Sequence, residues 1–190
     1  MDKRRLGKTG LMVTRLGFGT LPMGRLQRDL PVKEGAKIIR RAVEAGVNFI
    51  DTAEVYGTYS HIRQALTGIG SDVIIATKTQ AKAKDEAVVH IERARRELGR
   101  EQLDLVLIHA PRTVEPFKDR ASVWEYLLEC KNQGIIRYVG LSTHYVSAVK
   151  QAAGIPEVDV IHAIINLTGM GIVDGSRQDM EAAKRPSPGG

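Results

Sequence analysis

Four residues of this chain have side chains suited to one piece of acid–base chemistry: Asp51, Tyr56, Lys78 and His109. An oxygen that gains negative charge, as a carbonyl oxygen does on accepting hydride, needs a general acid to supply a proton. A phenol is a weak acid near neutral pH because its reference pKa is about 10. A neighbouring ammonium favours the phenolate and lowers that value, and Lys78 is the candidate for this part. A carboxylate hydrogen-bonded to the lysine would fix its position and keep it charged, which suits Asp51. A histidine on the same rim donates a hydrogen bond and orients the carbonyl, which suits His109. Singly, each has an ordinary explanation: a turn acceptor, a loop aromatic, a solvated rim charge, a satisfied histidine. Their meaning depends on whether the fold brings them together.

The elements that would do so are short apolar runs at residues 16–20, 47–51, 73–78, 105–109, 138–142 and 158–165. Amphipathic stretches lie between them. Residues 33–45 place Ala36, Ile38, Ile39, Ala42 and Val43 on one side, and Gly46 marks the end. Residues 85–98 and 119–132 read the same way, each closed by a glycine signal, and 174–184 read as a sixth helix. Six strands with five crossovers predict a parallel α/β sheet. Residues 3–16, with Gly7 and Thr9-Gly10, predict a β-hairpin ahead of it. Asp51, Lys78, His109 and Ser142 each end a run, and Tyr56 follows Asp51 in the next loop. In a (β/α)8 TIM-barrel type of fold all strand ends open onto one face, where catalytic groups gather. A doubly wound sheet would carry a glycine-rich phosphate turn after its first strand. Here Gly17-Phe18-Gly19-Thr20 lacks the third glycine and runs into a loop. Neighbouring strands lie about 4.8 Å apart, so their end residues can converge.

The bulk composition agrees with one soluble domain over residues 1–190, with 185–190 as a disordered, helix-breaking tail. Hydrophobic residues make up 43% and charged residues 26%, ordinary for a globular chain. The net charge of +6 comes from interspersed Lys and Arg, which argues against a nucleic-acid stripe but favours a phosphorylated ligand. Cys130 is the one cysteine and can form no disulfide within the chain; it reads as a buried filler. The histidines share no metal-ligand spacing with a cysteine, so no metal is expected. Trp124 and Tyr126 read as helix packing. The charged start Met1-Asp2-Lys3-Arg4-Arg5 has no apolar stretch after it, and no window is long and apolar enough to span a bilayer. A cytoplasmic location is expected.

Several segments together resemble the aldo-keto reductase family: Leu6-Gly7-Lys8-Thr9-Gly10-Leu11, Leu16-Gly17-Phe18-Gly19-Thr20, Asp51-Thr52-Ala53-Glu54-Val55-Tyr56-Gly57, Ile74-Ile75-Ala76-Thr77-Lys78, Leu105-Val106-Leu107-Ile108-His109-Ala110-Pro111 and Gly134-Ile135-Ile136-Arg137-Tyr138-Val139-Gly140-Leu141-Ser142. Any one is weak; six in order are specific. The resemblance implies an oxidoreductase that reduces aldehydes or ketones with NADPH (NADH is the alternative). Asp51, Tyr56, Lys78 and His109 would be its catalytic tetrad, with Tyr56 the proton donor. Gly19 and Thr20 would lie near the cofactor ribose or pyrophosphate. Ser142 and Thr143 would meet the carboxamide, where the family most often has Ser-Asn. His162 stands where a glutamine commonly lies beneath it, and Ile165 precedes Asn166 where an aromatic is frequent. A full barrel has eight strands and about 250 residues. The chain is therefore expected to hold about six of eight strand–helix units, with a weakened cofactor grip and low or absent turnover. The first and sixth strands would be open edges that invite self-association. Two other readings stand beside it. One is a non-catalytic barrel fragment acting as an interaction module. The other, ranked last, is a barrel aldolase with Lys78 as Schiff-base nucleophile.

Overall fold

The computed structural model describes residues 1–69, 72–110 and 113–173. The expected helix at 174–184 and the tail at 185–190 lie outside the described residues.

Strand β1 (Lys3–Arg5) pairs antiparallel with β2 (Met12–Thr14), forming the hairpin expected from Gly7 and Thr9-Gly10. Six parallel strands follow: β3 (Phe18–Gly19), β4 (Phe49–Asp51), β5 (Ile74–Thr79), β6 (Leu103–His109), β7 (Ile136–Thr143) and β8 (Val160–Ala163). They neighbour one another in chain order, the arrangement of a β/α barrel wall. The sheet curls into a half-barrel, and the curl brings His162 of β8 to 3.5 Å from Asp51 of β4 across three intervening positions.

The α-helices among the described residues are α1 (Val32–Glu44), α2 (Tyr59–Leu66), α3 (Lys84–Leu98), α4 (Pro116–Asp119), α5 (Ala121–Asn132) and α6 (Val146–Ala153). The expected helix at 119–132 divides at Arg120, whose φ of −133° is not helical. The guanidinium of Arg120 donates from Nη1 to the His109 carbonyl at 2.9 Å. On α1, Ile39 is buried but Ile38, read as apolar-side, is 46% exposed. Neighbours on a helix differ by about 100°, and a narrow contact stripe takes only one of them.

Strand side chains alternate between two faces. The odd-parity set of β5, Ile75 and its neighbours on other strands, meets the helices in the main core with Ile39, Ile50, Ile62, Ile91, Val106, Ile108, Leu127 and Leu141. The opposite set faces the barrel interior, where Ile74, Ala76 and Leu105 pack on Leu11 and Val13 of the hairpin region. Asn48 ties the hairpin down: its Oδ1 accepts from Thr14 N at 2.7 Å and its Nδ2 donates to the Met12 carbonyl at 2.9 Å. No helix among the described residues is long and apolar enough to cross a membrane.

Candidate active site

Continuing the interior parity along each strand leads to the polar ends. Beyond Phe49 comes Asp51, beyond Ile74 and Ala76 comes Lys78, beyond Leu105 and Leu107 comes His109, beyond Gly140 comes Ser142, and beyond Val160 comes His162. Register places them side by side: Gly19 opposite Asp51, His109 opposite Ser142, and Ser142 opposite His162.

Asp51 and Lys78 form the centre. Lys78 Nζ donates to Asp51 Oδ1 at 2.5 Å and to the Thr52 carbonyl at 2.8 Å, with the lysine side chain only 2% exposed. The same ammonium lies 5.2 Å from the centre of the Tyr56 ring. Tyr56 meets His109 edge to face, with ring centres 6.1 Å apart. All four sequence-derived candidates are therefore in one cluster. A buried lysine amine engaged by two acceptors suits an anchored ammonium better than a free Schiff-base nucleophile.

The electrostatics differ from expectation at one position. Tyr56 is pushed up to about 12, first by burial and then by the Asp51 carboxylate, the opposite direction to the lowering expected from Lys78. Burial depresses the Lys78 ammonium below its ordinary value, with Asp51 opposing. His109 falls to about 4, chiefly through burial, then through Lys78 and Arg120, and through His144 and His162 in their protonated forms. It is a neutral imidazole at pH 7, able to donate one hydrogen bond without carrying charge.

The loop holding Tyr56 is braced from two sides, by residues that sequence reading did not single out. Tyr56 ends a 3-10 turn, Glu54–Tyr56, and Gly57 follows at φ +70°. Arg25 donates from its main-chain N to the Tyr56 carbonyl at 3.1 Å and from Nε to the Val55 carbonyl at 2.9 Å. Gly24 passes so close that a Cβ there would sit 2.2 Å from the Tyr56 carbonyl oxygen. On the other side, buried Glu54 accepts from Arg93 of α3 at 2.7 Å. One signal existed: a carboxylate inside a segment destined for burial must find a cation. Its partner on a distant helix could not be read from spacing.

The remaining candidates divide. Gly19, Asp51 and His162 line one trough of about 510 Å³ with Gly17, Phe49 and the hairpin. Thr20 is fully buried, its hydroxyl shared with Thr58 at 2.8 Å and the Asp51 carbonyl at 3.1 Å. Thr143 is likewise buried, its hydroxyl accepting from Tyr145 N at 3.1 Å. Both hydroxyls hold backbone or neighbouring side chains in the scaffold. Among the described residues no group of three or more His, Cys, Asp or Glu is placed to hold a metal ion.

The profile of the Aldo/keto reductase family matches residues 15–179. Methylglyoxal reductase DkgB of Salmonella typhi is 28% identical over 150 residues, covering 75% of this chain and 52% of that protein. The chain thus spans about half the length of the curated relatives it matches. A solved aldo-keto reductase from Pseudomonas aeruginosa superposes with a TM-score of 0.79 at 28% identity, over 95% of this chain and 72% of that one. A Bombyx mori aldo-keto reductase in complex with NADP shares the fold, with a TM-score of 0.71 at 21% identity, over 87% of this chain and 58% of that one. With the profile matched along most of its length, and with the strand-end residues in register, this chain belongs to the aldo/keto reductase family.

Proposed function

We propose that the chain carries the reacting half of a carbonyl reductase site, where an aldehyde or ketone becomes an alcohol with Tyr56 as proton donor. The observation that carries this reading is the convergence of Asp51, Lys78, Tyr56 and His109 at adjoining strand ends. NADPH, the cofactor we assign, would supply the hydride.

The residues present fit a nicotinamide group. His109 Nδ1 is buried and has no hydrogen-bond partner among the described residues. Such an atom needs a polar neighbour, and a carboxamide is one. At Gly19 a Cβ would meet nothing within 4 Å, which leaves open space beside Asp51 for a flat ring or ribose. On this reading Gly19, Asp51, Ser142 and His162 hold the cofactor, while Thr20 and Thr143 shape its bed through the scaffold. NADPH is preferred to NADH on the family likeness alone; the NADP in the Bombyx mori relative agrees.

The proton chemistry follows from the site. Neutral His109 donates a hydrogen bond that orients the carbonyl oxygen. Tyr56 Oη keeps its proton until that oxygen becomes a strong base, because its own acidity is suppressed. The Lys78 ammonium, over the ring at 5.2 Å, then stabilises the phenolate left behind. Asp51 keeps that ammonium in place.

Calorimetric titration of the purified, size-checked chain with NADPH tests this, with Lys78→Met as the control. Saturable binding is expected, weakened in the variant, and whatever slow aldehyde-dependent NADPH oxidation the partial barrel supports is abolished by Tyr56→Phe. A folded chain that binds no NADPH refutes the reading.

A further inference from the structure

Asp51 Oδ1 is the meeting point of two nitrogen groups. Lys78 Nζ lies 2.5 Å from it, and Nδ1 of His162 lies 3.5 Å from the same oxygen. The two differ in access to water. The lysine side chain is 2% exposed, the carboxylate 22%, and the His162 ring 49%. The register that sets Ser142 opposite His162 directs the ring across the strand ends. A glutamine at this position would hydrogen-bond but could take up no proton; a histidine can do both.

We propose that His162 is the solvent-side proton-exchange partner of the Asp51–Lys78 pair, a positioning residue that sets the pair's protonation without touching the reacting carbonyl. Its consequence for turnover rests on the Tyr56 reading above; the coupling itself does not. The proton balance is simple. Tyr56 gives one proton to the product oxygen, and Lys78 returns one to the phenolate. The Asp51 carboxylate passes one from Nδ1 of the protonated His162 ring to Lys78 Nζ, and water, which reaches the ring once the oxidised cofactor has left, restores the proton on the imidazole. Each group ends as it began, with one proton drawn from solvent.

The charges that face His162 come from every neighbouring element. Asp51 ends β4, Lys78 lies on β5, His109 ends β6, and His144 follows β7. Arg4, Arg5 and Arg15 line the same trough from the hairpin side. Asp51 is the acidic group among these, so it alone favours a charged imidazole. Burial lowers the His162 pKa most, Asp51 works against that, and Lys78 adds to the lowering.

Two magnetic resonance measurements on the chain without cofactor test the proposal. The first follows the ring resonances of His162 with pH, assigned through His162→Gln. Asp51→Asn should lower the His162 midpoint and Lys78→Met should raise it, each by about half a pH unit, the scale set by charges a few ångströms apart at a wet surface. The second reads exchange of the Lys78 Nζ protons with water, which His162→Gln should slow several-fold. A midpoint unmoved in both variants with retained folded spectra, or exchange unaffected by His162→Gln, overturns the inference. Because neither experiment uses NADPH, a failed cofactor titration and a failed His162 coupling are separate results.

Discussion

The low pKa of His109 makes the fold sensitive to acid by an amount that can be worked out. The imidazole falls from 6.5 to about 4 on folding, first through burial and then through Lys78, Arg120, His144 and His162. Between these values the unfolded chain binds the proton and the folded chain does not. Stability therefore falls as pH falls through this window and is fully present above the unfolded value. At pH 5 the linkage amounts to about 1.5 pKa units, or about 2 kcal/mol relative to pH 7.5. That is a large fraction of a typical domain stability of roughly 5–15 kcal/mol. Carboxylates titrate in the same range, so the comparison must be with His109→Gln, which keeps hydrogen-bonding groups but cannot be charged. Urea unfolding at pH 7.5 and pH 5 should show the wild-type chain losing about 2 kcal/mol more than the variant. Parallel losses in the two proteins would refute the claim that the site holds His109 neutral.

Two further substitutions probe the frame that positions the site. Gly140→Ala would put a Cβ 1.9 Å from the Val160 carbonyl oxygen, a main-chain atom that cannot rotate away, so β7 and β8 must part. A loss of roughly 1–3 kcal/mol is expected in urea unfolding, with the His162 ring resonance displaced. Asn48→Leu removes the acceptor of the buried Thr14 N–H and the donor to Met12. Stability should drop by roughly 1–3 kcal/mol, and hydrogen exchange at the Thr14 amide should accelerate more than at core amides of β6.

The order of the sheet was readable because its signal is local. Six apolar runs between amphipathic stretches became six parallel neighbours in chain order. Lengths were less readable because hydrogen bonding outside the run decides them. The run at 16–20 shrinks to Phe18–Gly19, where the Thr14 hydroxyl donates to the Leu16 carbonyl and Leu16 is left 62% exposed. Helices α2 and α6 escaped the pattern for another reason. Each has eight residues, about two turns, too short for periodicity to stand out. They hold because Ile62 and Ala65, and Ala148 and Ala152, are buried against the sheet core.

Placement in the site was local too; protonation was not. Parity along a strand is enough to put Asp51, Lys78, His109, Ser142 and His162 on one rim, since each continues an interior-facing series. The acidity of Tyr56 depends on depth and on the sign of every neighbour at once. Sequence reasoning gave Asp51 the tasks of holding Lys78 charged in place and of meeting the cofactor, and the structure shows the lysine contact at 2.5 Å. The same carboxylate also raises the phenol, adding to the effect of burial. The two effects are inseparable: a charge close enough to anchor Lys78 over the ring is close enough to repel a phenolate. A phenol held near 12 keeps its proton through the resting state and yields it only to an oxygen of comparable basicity. Suppressed acidity is therefore what a donor needs when the base it serves exists only after hydride has moved.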